Sequence, residues 1–415
     1  MLTASIDFGT TNSVVGINNN GKVEMVRLGR DTLETKSVLF YSFEDKSFYV
    51  GDSAIEELRL ESIGRYFVSL KSFLGSAENI ETTLGTTTYS ISDLISIILR
   101  NYKGVLERHA GESIDRVILG RPVHFNDKDK FLDRQAQERL YSSAIQAGFK
   151  EVYFEYEPIS ASLAYEQSIQ KEEIILVADI GGGTTDYTIV RVGGKKKKNI
   201  DRRDDILSTH GCYIGGNNFD SEIIRNFVIE HLGYGSHYKN MGKEMQIDYS
   251  LYSDFSHWHK FQKMYDYKVI NRIEKYIYMA YDKEKISRLL ELIKNGLYFD
   301  FSERVIKSKI DLSSRKSTII NMDIFENPFS QSLSRKEFDR VILEDINTIK
   351  STLKETLNLA GVKANQIDKV FLTGGSTLVP AVRNIYETFF DKDKLIQTDV
   401  FSSVGYGLAI GASRI

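Results

Sequence analysis

Cysteine is nearly absent. Among 415 residues there is one, Cys212. A single thiol excludes an intramolecular disulfide and any multi-cysteine metal centre. Proline is scarce as well, 4 against 30 glycines, so each Pro and each Gly cluster is useful punctuation. No apolar run reaches the roughly 18 residues of a spanning helix. The first residues, Met1-Leu2-Thr3-Ala4-Ser5-Ile6-Asp7, lack the basic and long apolar stretches of a secretory signal. An excess of one charge sign is missing too: 54 basic and 57 acidic side chains leave a net charge of −3. That balance gives no reason to expect nucleic acid or a membrane as partner. The expectation is a cytoplasmic protein. What is present, 41% hydrophobic and 27% charged residues, is a globular composition that excludes disorder and coiled coil. The length suits two to three domains.

Strand-like apolar runs alternate with helical patterns, which predicts an α/β protein. Val117-Ile118-Leu119, Ile174-Ile175-Leu176-Val177-Ala178 and Val370-Phe371-Leu372-Thr373 read as buried strands. Thr188 to Val192 follows a Gly cluster as the return strand of a hairpin would. One helix is expected from about Asp127 to Ala147, stopped by Gly148. Another starts at the capping box Ser334-Arg335-Lys336-Glu337 and closes at Gly361. The stretch from about Tyr234 to Ser302, rich in Tyr, Lys and Ile, reads as a mostly helical subdomain. Gly193-Gly194 and Lys195 to Lys198 read as a solvated turn rather than a basic binding patch, since Asp201, Asp204 and Asp205 follow.

The two halves echo each other. Asp7-Phe8-Gly9-Thr10-Thr11-Asn12 follows one apolar run, and Asp179-Ile180-Gly181-Gly182-Gly183-Thr184-Thr185-Asp186 follows another, 172 residues later. Small-residue helix patterns recur at Ile159 to Tyr165 and at Gly405 to Ala412. A duplicated domain with a cleft between its halves is the inference. Glycines in such a turn let backbone N–H groups approach an anion without a Cβ in the way, and successive N–H groups form a concave anion site. The threonine hydroxyls add donors. An Asp at the strand end would be repelled by phosphate, so it faces a hydrated Mg²⁺. Two such turns facing each other clamp a polyphosphate.

Rival motifs are missing. There is no Gly-x-x-x-x-Gly-Lys-Ser/Thr, no Gly-x-Ser-x-Gly and no His-Glu-x-x-His. Gly405, Gly407 and Gly411 have the wrong spacing for a dinucleotide fingerprint. His257 and His259, beside Trp258, read as structural histidines rather than metal ligands, and Cys212 as a buried small residue.

Over nearly its whole length the sequence resembles the ATPase domain of DnaK-type chaperones, the heat-shock protein 70 family of the actin-like superfamily. Ile6 to Ser13 resembles the first phosphate loop, Leu70-Lys71-Ser72-Phe73-Leu74-Gly75 the segment of the catalytic lysine, and Pro122 to Asp127 a Pro-x-x-Phe segment. Glu157 to Tyr165 resembles the first connecting helix, headed by the catalytic glutamate. Asp179 to Asp186 is similar to the second phosphate loop, and Ile214-Gly215-Gly216-Asn217-Asn218-Phe219-Asp220 to a Gly-Gly-x-x-Phe-Asp turn. Thr373-Gly374-Gly375-Ser376-Thr377 resembles the adenosine loop, and Gly405 to Ala412 the second connecting helix. Two departures concern the nucleoside. Leu378 stands where the family has an adenine-packing Arg. In the helix around Ser308 to Ser313, Lys309 and Ser313 match, but the ribose-binding Glu falls on Ile306, with Glu303 nearly a turn away. The organisation resembles that of short YegD-type proteins of the family, and no peptide-binding domain is expected.

The resemblance implies a two-lobed actin-like α/β ATPase fold, built of duplicated ribonuclease-H-like domains. Lobe I spans 1–170 with 397–415 returning to it, and 37–112 is its outer subdomain. Lobe II spans 171–396, with 226–314 as its outer, mostly helical subdomain. It implies ATP/ADP and Mg²⁺ as ligands and hydrolysis by water attack on the γ-phosphate. Lys71 would stand beside that phosphate, Glu157 would orient the water, and Asp186 and Thr184 would assist. Asp7 and Asp179 would hold the metal. Gly9, Thr10, Thr11, Asn12, Gly181, Gly182, Gly183, Thr184 and Thr185 would hold the phosphates. Gly215, Gly216, Lys309, Ser313, Gly374, Gly375 and Ser376 would hold the nucleoside side. The implied function is a slow chaperone-related ATPase switch with a protein partner or client. The alternatives are an ATP-dependent actin-like filament, a nucleotide-sensing interaction module, or a sugar kinase, whose catalytic Asp is not clearly met.

Overall fold

The structure, a computed structural model, describes residues 2–60, 62–78, 80–126, 129–194, 202–253, 261–397 and 403–415. One strand arrangement occurs twice. Leu2–Phe8 (β1), Asn12–Asn19 (β2) and Lys22–Val26 (β3) form an antiparallel meander. Arg116–Arg121 (β4) lies parallel to β1, and Glu151–Tyr156 (β5) parallel to β4. Ile91–Ala110 (α1) leads into β4, Lys130–Gln146 (α2) into β5, and Glu157–Ser168 (α3) follows β5. The second half repeats this with Glu173–Ile180 (β6), Thr185–Val192 (β7), Ile206–Cys212 (β8), Lys369–Thr373 (β9) and Leu395–Gln397 (β10). Here β6 pairs antiparallel with β7 and parallel with β9, which pairs parallel with β10. The orders β5-β4-β1-β2-β3 and β10-β9-β6-β7-β8 are one topology. Between them run Tyr298–Ser314 (α4), Leu343–Ala360 (α5) and Pro380–Phe389 (α6), and Ser403–Gly411 (α7) comes last.

Strand alternation decides which side chains meet which layer. Ala4, Ile6 and Phe8 of β1 join Ile95, Leu99 and Tyr102 of α1 in one core. Leu176, Ala178 and Ile180 of β6 join Ile349 and Leu353 of α5 and Ile385 of α6 in another. The opposite face of each sheet takes the helix that comes from the other half. Ile159 and Leu163 of α3 pack on Ile175, Val177 and Val190 of the second sheet, and Leu408 of α7 on Ile118 of the first. Asp7 and Asp179 share that face at their strand ends. Each fully buried Leu or Ile contributes about 1.5–3 kcal/mol by burial, so both helices are firmly seated.

The capping box at Ser334 and Glu337 is present. The helix it opens, Arg335–Val341, gives way to a separate α5, which ends at Gly361 with φ 64°. The expected start at Asp127 lies outside the described residues; α2 has Asp129 as its cap, accepting from the Phe131 and Leu132 amides. Lys195 to Lys198, Asp201, His257, Trp258 and His259 also lie outside them. The region from Tyr234 to Ser302 contains helices Tyr267–Met279 and Lys283–Lys294 and the start of α4, but also a hairpin, His237–Asn240 with Lys243–Gln246. Its strands are almost wholly exposed, so no apolar alternation marked them. The positive φ of Met241 (48°) and Gly242 (81°) makes the turn. No described helix is long and apolar enough to cross a membrane.

Candidate functional site

The two glycine turns face each other where the carboxyl ends of β1 and β6 approach. The hydroxyl of Thr11 lies 3.1 Å from the point a Cβ on Gly182 would occupy. In the first turn a Cβ on Gly9 would sit 2.2 Å from the Asn12 carbonyl, so only glycine fits. The Thr11 carbonyl accepts from the Ser37 amide at 2.8 Å. In the second turn the Gly181 carbonyl accepts from the Gly216 amide (3.0 Å) and the Ser376 hydroxyl (2.9 Å), and the Gly182 carbonyl from the Asn217 amide (2.7 Å). In a trans peptide the C=O of one residue and the N–H of the next point opposite ways. With those carbonyls drawn toward residues 216, 217 and 376, the Gly182 and Gly183 amides face away from them. Two amide donors so turned are the kind of edge that can receive an anion. No Cβ on Gly183 would meet anything within 4 Å.

Beneath the turns lies a cluster of charge. Lys71, on the 3₁₀ turn Leu70–Phe73, donates to Glu157 Oε1 at 2.6 Å and is 9% exposed. Glu157 opens α3. Asp7 and Asp179 are the next-to-last residues of β1 and β6. Burial, then Glu157 and Asp179, push the Asp7 carboxyl up to about 7 against the pull of Lys71. Asp179 is raised by burial and by Glu157. Burial opposes the charge of Lys71, but Glu157, Asp7 and Asp179 outweigh it and hold its pKa above the ordinary lysine value. Three carboxylates therefore share one ammonium. A cluster so short of positive charge suits a cation. Among the described residues no three acidic, His or Cys side chains stand close enough to ligate a metal directly. Mg²⁺ fits this arrangement because it keeps most of its waters and takes one or two carboxylates plus phosphate oxygens.

The remaining expected residues fall into two groups. Asp186 is paired in register with Asp179 on the hairpin and lines the cavity with Glu157, Asp179, Thr188 and His124. Gly211 makes room for it, since a Cβ there would lie 2.6 Å from Asp186 Oδ1. Thr10 and Asn12 are half-buried, and Thr11 and Thr184 are exposed at the turns. Thr185 differs from expectation: its fully buried hydroxyl donates to the Ile214 carbonyl at 2.8 Å, which fastens the hairpin rather than facing phosphate. On the far side Gly216, Lys309 and Ser376 converge. A Cβ on Gly216 would lie 2.7 Å from Ser376 Oγ and 3.0 Å from Lys309 Nζ. Gly215 abuts the Gly181 and Gly182 carbonyls, and Gly374, at φ 80°, abuts the Ile180 carbonyl. Gly375 opens the 3₁₀ turn that carries Ser376. Ser313 turns its hydroxyl back to the Lys309 carbonyl at 3.4 Å. Lys309 pairs with Asp220 at 2.7 Å, a partner that sequence reasoning quoted within a motif without giving it a role. Leu378 is 44% exposed.

A family model described as Hsp70 protein matches residues 3–241 and 267–413. The chain is 26% identical over 434 residues to the chaperone protein dnaK of Cyanidium caldarium, covering 98% of this chain and 59% of that protein. To the chaperone protein DnaK of Thermosipho melanesiensis it is 26% identical over 417 residues, covering 98% and 58%. It thus spans somewhat over half the length of these curated relatives.

Proposed function

From a chain that belongs to the Hsp70 family, and so has its actin-like ATPase fold, we propose an ATP-binding protein that hydrolyses Mg-ATP slowly and couples this to opening and closing of its two lobes, as a chaperone-related switch acting on a protein partner. In this reading the lobes divide as 1–170 with 397–415 against 171–396. The observation that carries the reading is the pairing of two facing glycine turns with the buried Lys71–Glu157 pair and the carboxylates of Asp7 and Asp179.

Each residue then has a physical task. The Gly182 and Gly183 amides and the Thr10, Thr11 and Thr184 hydroxyls donate to phosphate oxygens. Asp7 and Asp179 would hold the metal. Bound Mg²⁺ supplies charge neutralisation on the phosphates, the dominant need in phosphoryl transfer. Lys71 brings a fixed ammonium to the charge that develops on the phosphoryl oxygens, and works best where water is excluded. Glu157, held by Lys71, orients a water and accepts its proton, with Asp186 lining the same cavity. Lys309, Ser313 and Ser376 form the nucleoside side.

The test is single-turnover ATP hydrolysis with and without Mg²⁺, in wild type and Lys71→Ala. Mg-dependent turnover that the variant loses is the expected result. Tight binding without turnover in either protein would replace the ATPase by a nucleotide sensor. The absence of ATP binding, with Leu378 and Ile306 in place of the family's nucleoside contacts, would leave an interaction module.

A further inference from the structure

The most buried charges of the described chain lie away from the cleft. Arg202 has a wholly buried side chain. Its guanidinium forks onto Glu166 of α3, Nη1 to Oε2 at 2.9 Å and Nη2 to Oε1 at 2.8 Å. Its Nε donates to Asp205 at 2.5 Å. The same Glu166 accepts from the Gly193 amide at 2.8 Å and from Arg414, just beyond α7, at 3.2 Å. One carboxylate thus ties α3, the connection between β7 and β8, and the end of α7. Burying such charges is costly, and apolar side chains of equal volume commonly stabilise a fold as well or better. Stability is therefore a poor account of the network. A bidentate fork has another property, fixed direction and distance.

That property matters where α3 sits. α3 and α7 meet backbone to backbone: a Cβ on Gly407 would lie 1.8 Å from the Ser160 carbonyl. At that crossing no side chain intervenes to set axial position, although Ile159 and Leu163 seat α3 on the second sheet. The fork at Glu166 adds a contact of fixed direction and distance to that packing. Glu157 stands nine residues back on the same rigid helix, about 13 Å away at 1.5 Å per residue, with its carboxylate on Lys71.

We propose that Arg202 and Glu166 are positioning residues for the nucleotide site, the fork fixing α3 on the second sheet so that Glu157 stays in register with Lys71 and Asp179. The proposal rests on the ATPase reading for its consequence in turnover, not for the positioning itself. Two measurements separate them. In nucleotide-free protein, the acylation rate of each lysine by acetic anhydride is followed by peptide mass spectrometry. Glu166→Gln keeps the acceptor for Gly193 but loses the charged fork. Lys71 should be modified at least about fivefold faster as Glu157 drifts from it, while Lys103 and Lys309 hold their wild-type rates. Single-turnover hydrolysis should fall roughly 10- to 100-fold, the scale of a misplacement near 1 Å, with nucleotide affinity little changed. Arg202→Lys, which keeps charge without the fork, should move both in the same direction by less, and it carries the test if Glu166→Gln does not fold. An unchanged Lys71 rate in a folded variant overturns the proposal. So does a common acceleration of all three lysines, which would mark general loosening. A Lys71 rate that shifts while even wild type shows no turnover upholds the positioning and removes the ATPase reading alone.

Discussion

The β1–β2 and β6–β7 hairpins are one device that differs most in what faces the Asp near the strand end. Asp7 faces Val14 across the first, and Asp179 faces Asp186 across the second. Both hairpins set an Asp near the strand end and a glycine turn, with Thr10 and Thr11 at the first turn and Thr184 at the second. Val14 is buried, against the point where Gly405 of α7 would carry a Cβ, whereas Asp186 is exposed to the cavity. The first half instead supplies Lys71 and Glu157. On the proposed function, the parts assigned to binding are symmetric and those assigned to reaction are not. A phosphate chain needs donors on both sides, but a single water attacks from one direction.

The largest effect should come from the asymmetric part. Lys71→Ala should lower single-turnover hydrolysis by well over ~10²-fold, the scale for one electrostatic stabiliser, while nucleotide affinity stays within about tenfold. Unchanged turnover would leave the Lys71–Glu157 pair a structural salt bridge. Next come the symmetric acids. Asp7→Asn and Asp179→Asn should each abolish most of the difference in nucleotide affinity between Mg²⁺ and chelator, and to a similar degree, by calorimetric titration. A large effect from one and none from the other would break the symmetry of the clamp. Smaller again, Asp186→Val copies the first hairpin onto the second. Binding should persist and turnover fall roughly tenfold, within the 10²–10⁴ ceiling of a full acid–base role. A loss of binding instead would move Asp186 from chemistry to holding the metal.

The duplication was legible because both hairpins keep their chemistry in consecutive residues, and a turn's function is local. The partners of those turns were less so. That Thr185 would spend its hydroxyl on Ile214, while Thr184 stayed exposed, depends on the segment just past β8 and not on the Gly-Gly-Thr-Thr string. The Arg202–Glu166–Arg414 network joins residues up to 248 apart with no motif between them. The hairpin His237–Gln246 escaped because its burial is too slight to write a pattern. The Asp220–Lys309 pair was visible only as two separate motif residues. Sequence carried what a segment does alone, and the structure was needed wherever the segment's partner decided.

The matching edge strands offer the finest comparison. On β5 of the first sheet Glu155 is buried, with its carboxylate accepting from the Tyr156 amide at 3.0 Å. Burial raises it to about 7, opposed by that amide, Arg414 and Arg202, and reinforced by Glu166. Its counterpart β10 carries no acid among Leu395–Gln397. A carboxyl raised in the folded state contributes stability that is full below the unfolded value near pH 4.5 and is lost as pH climbs through about 7. Glu155→Gln cannot titrate. Its melting temperature should therefore drop less than that of wild type between pH 5 and 8, by a few degrees, the shift expected per ~1 kcal/mol or so in a chain of this size. A drop as steep as wild type would mean that Glu155 stays ionised in the fold, paired through Arg414, and that the first sheet holds its edge by charge.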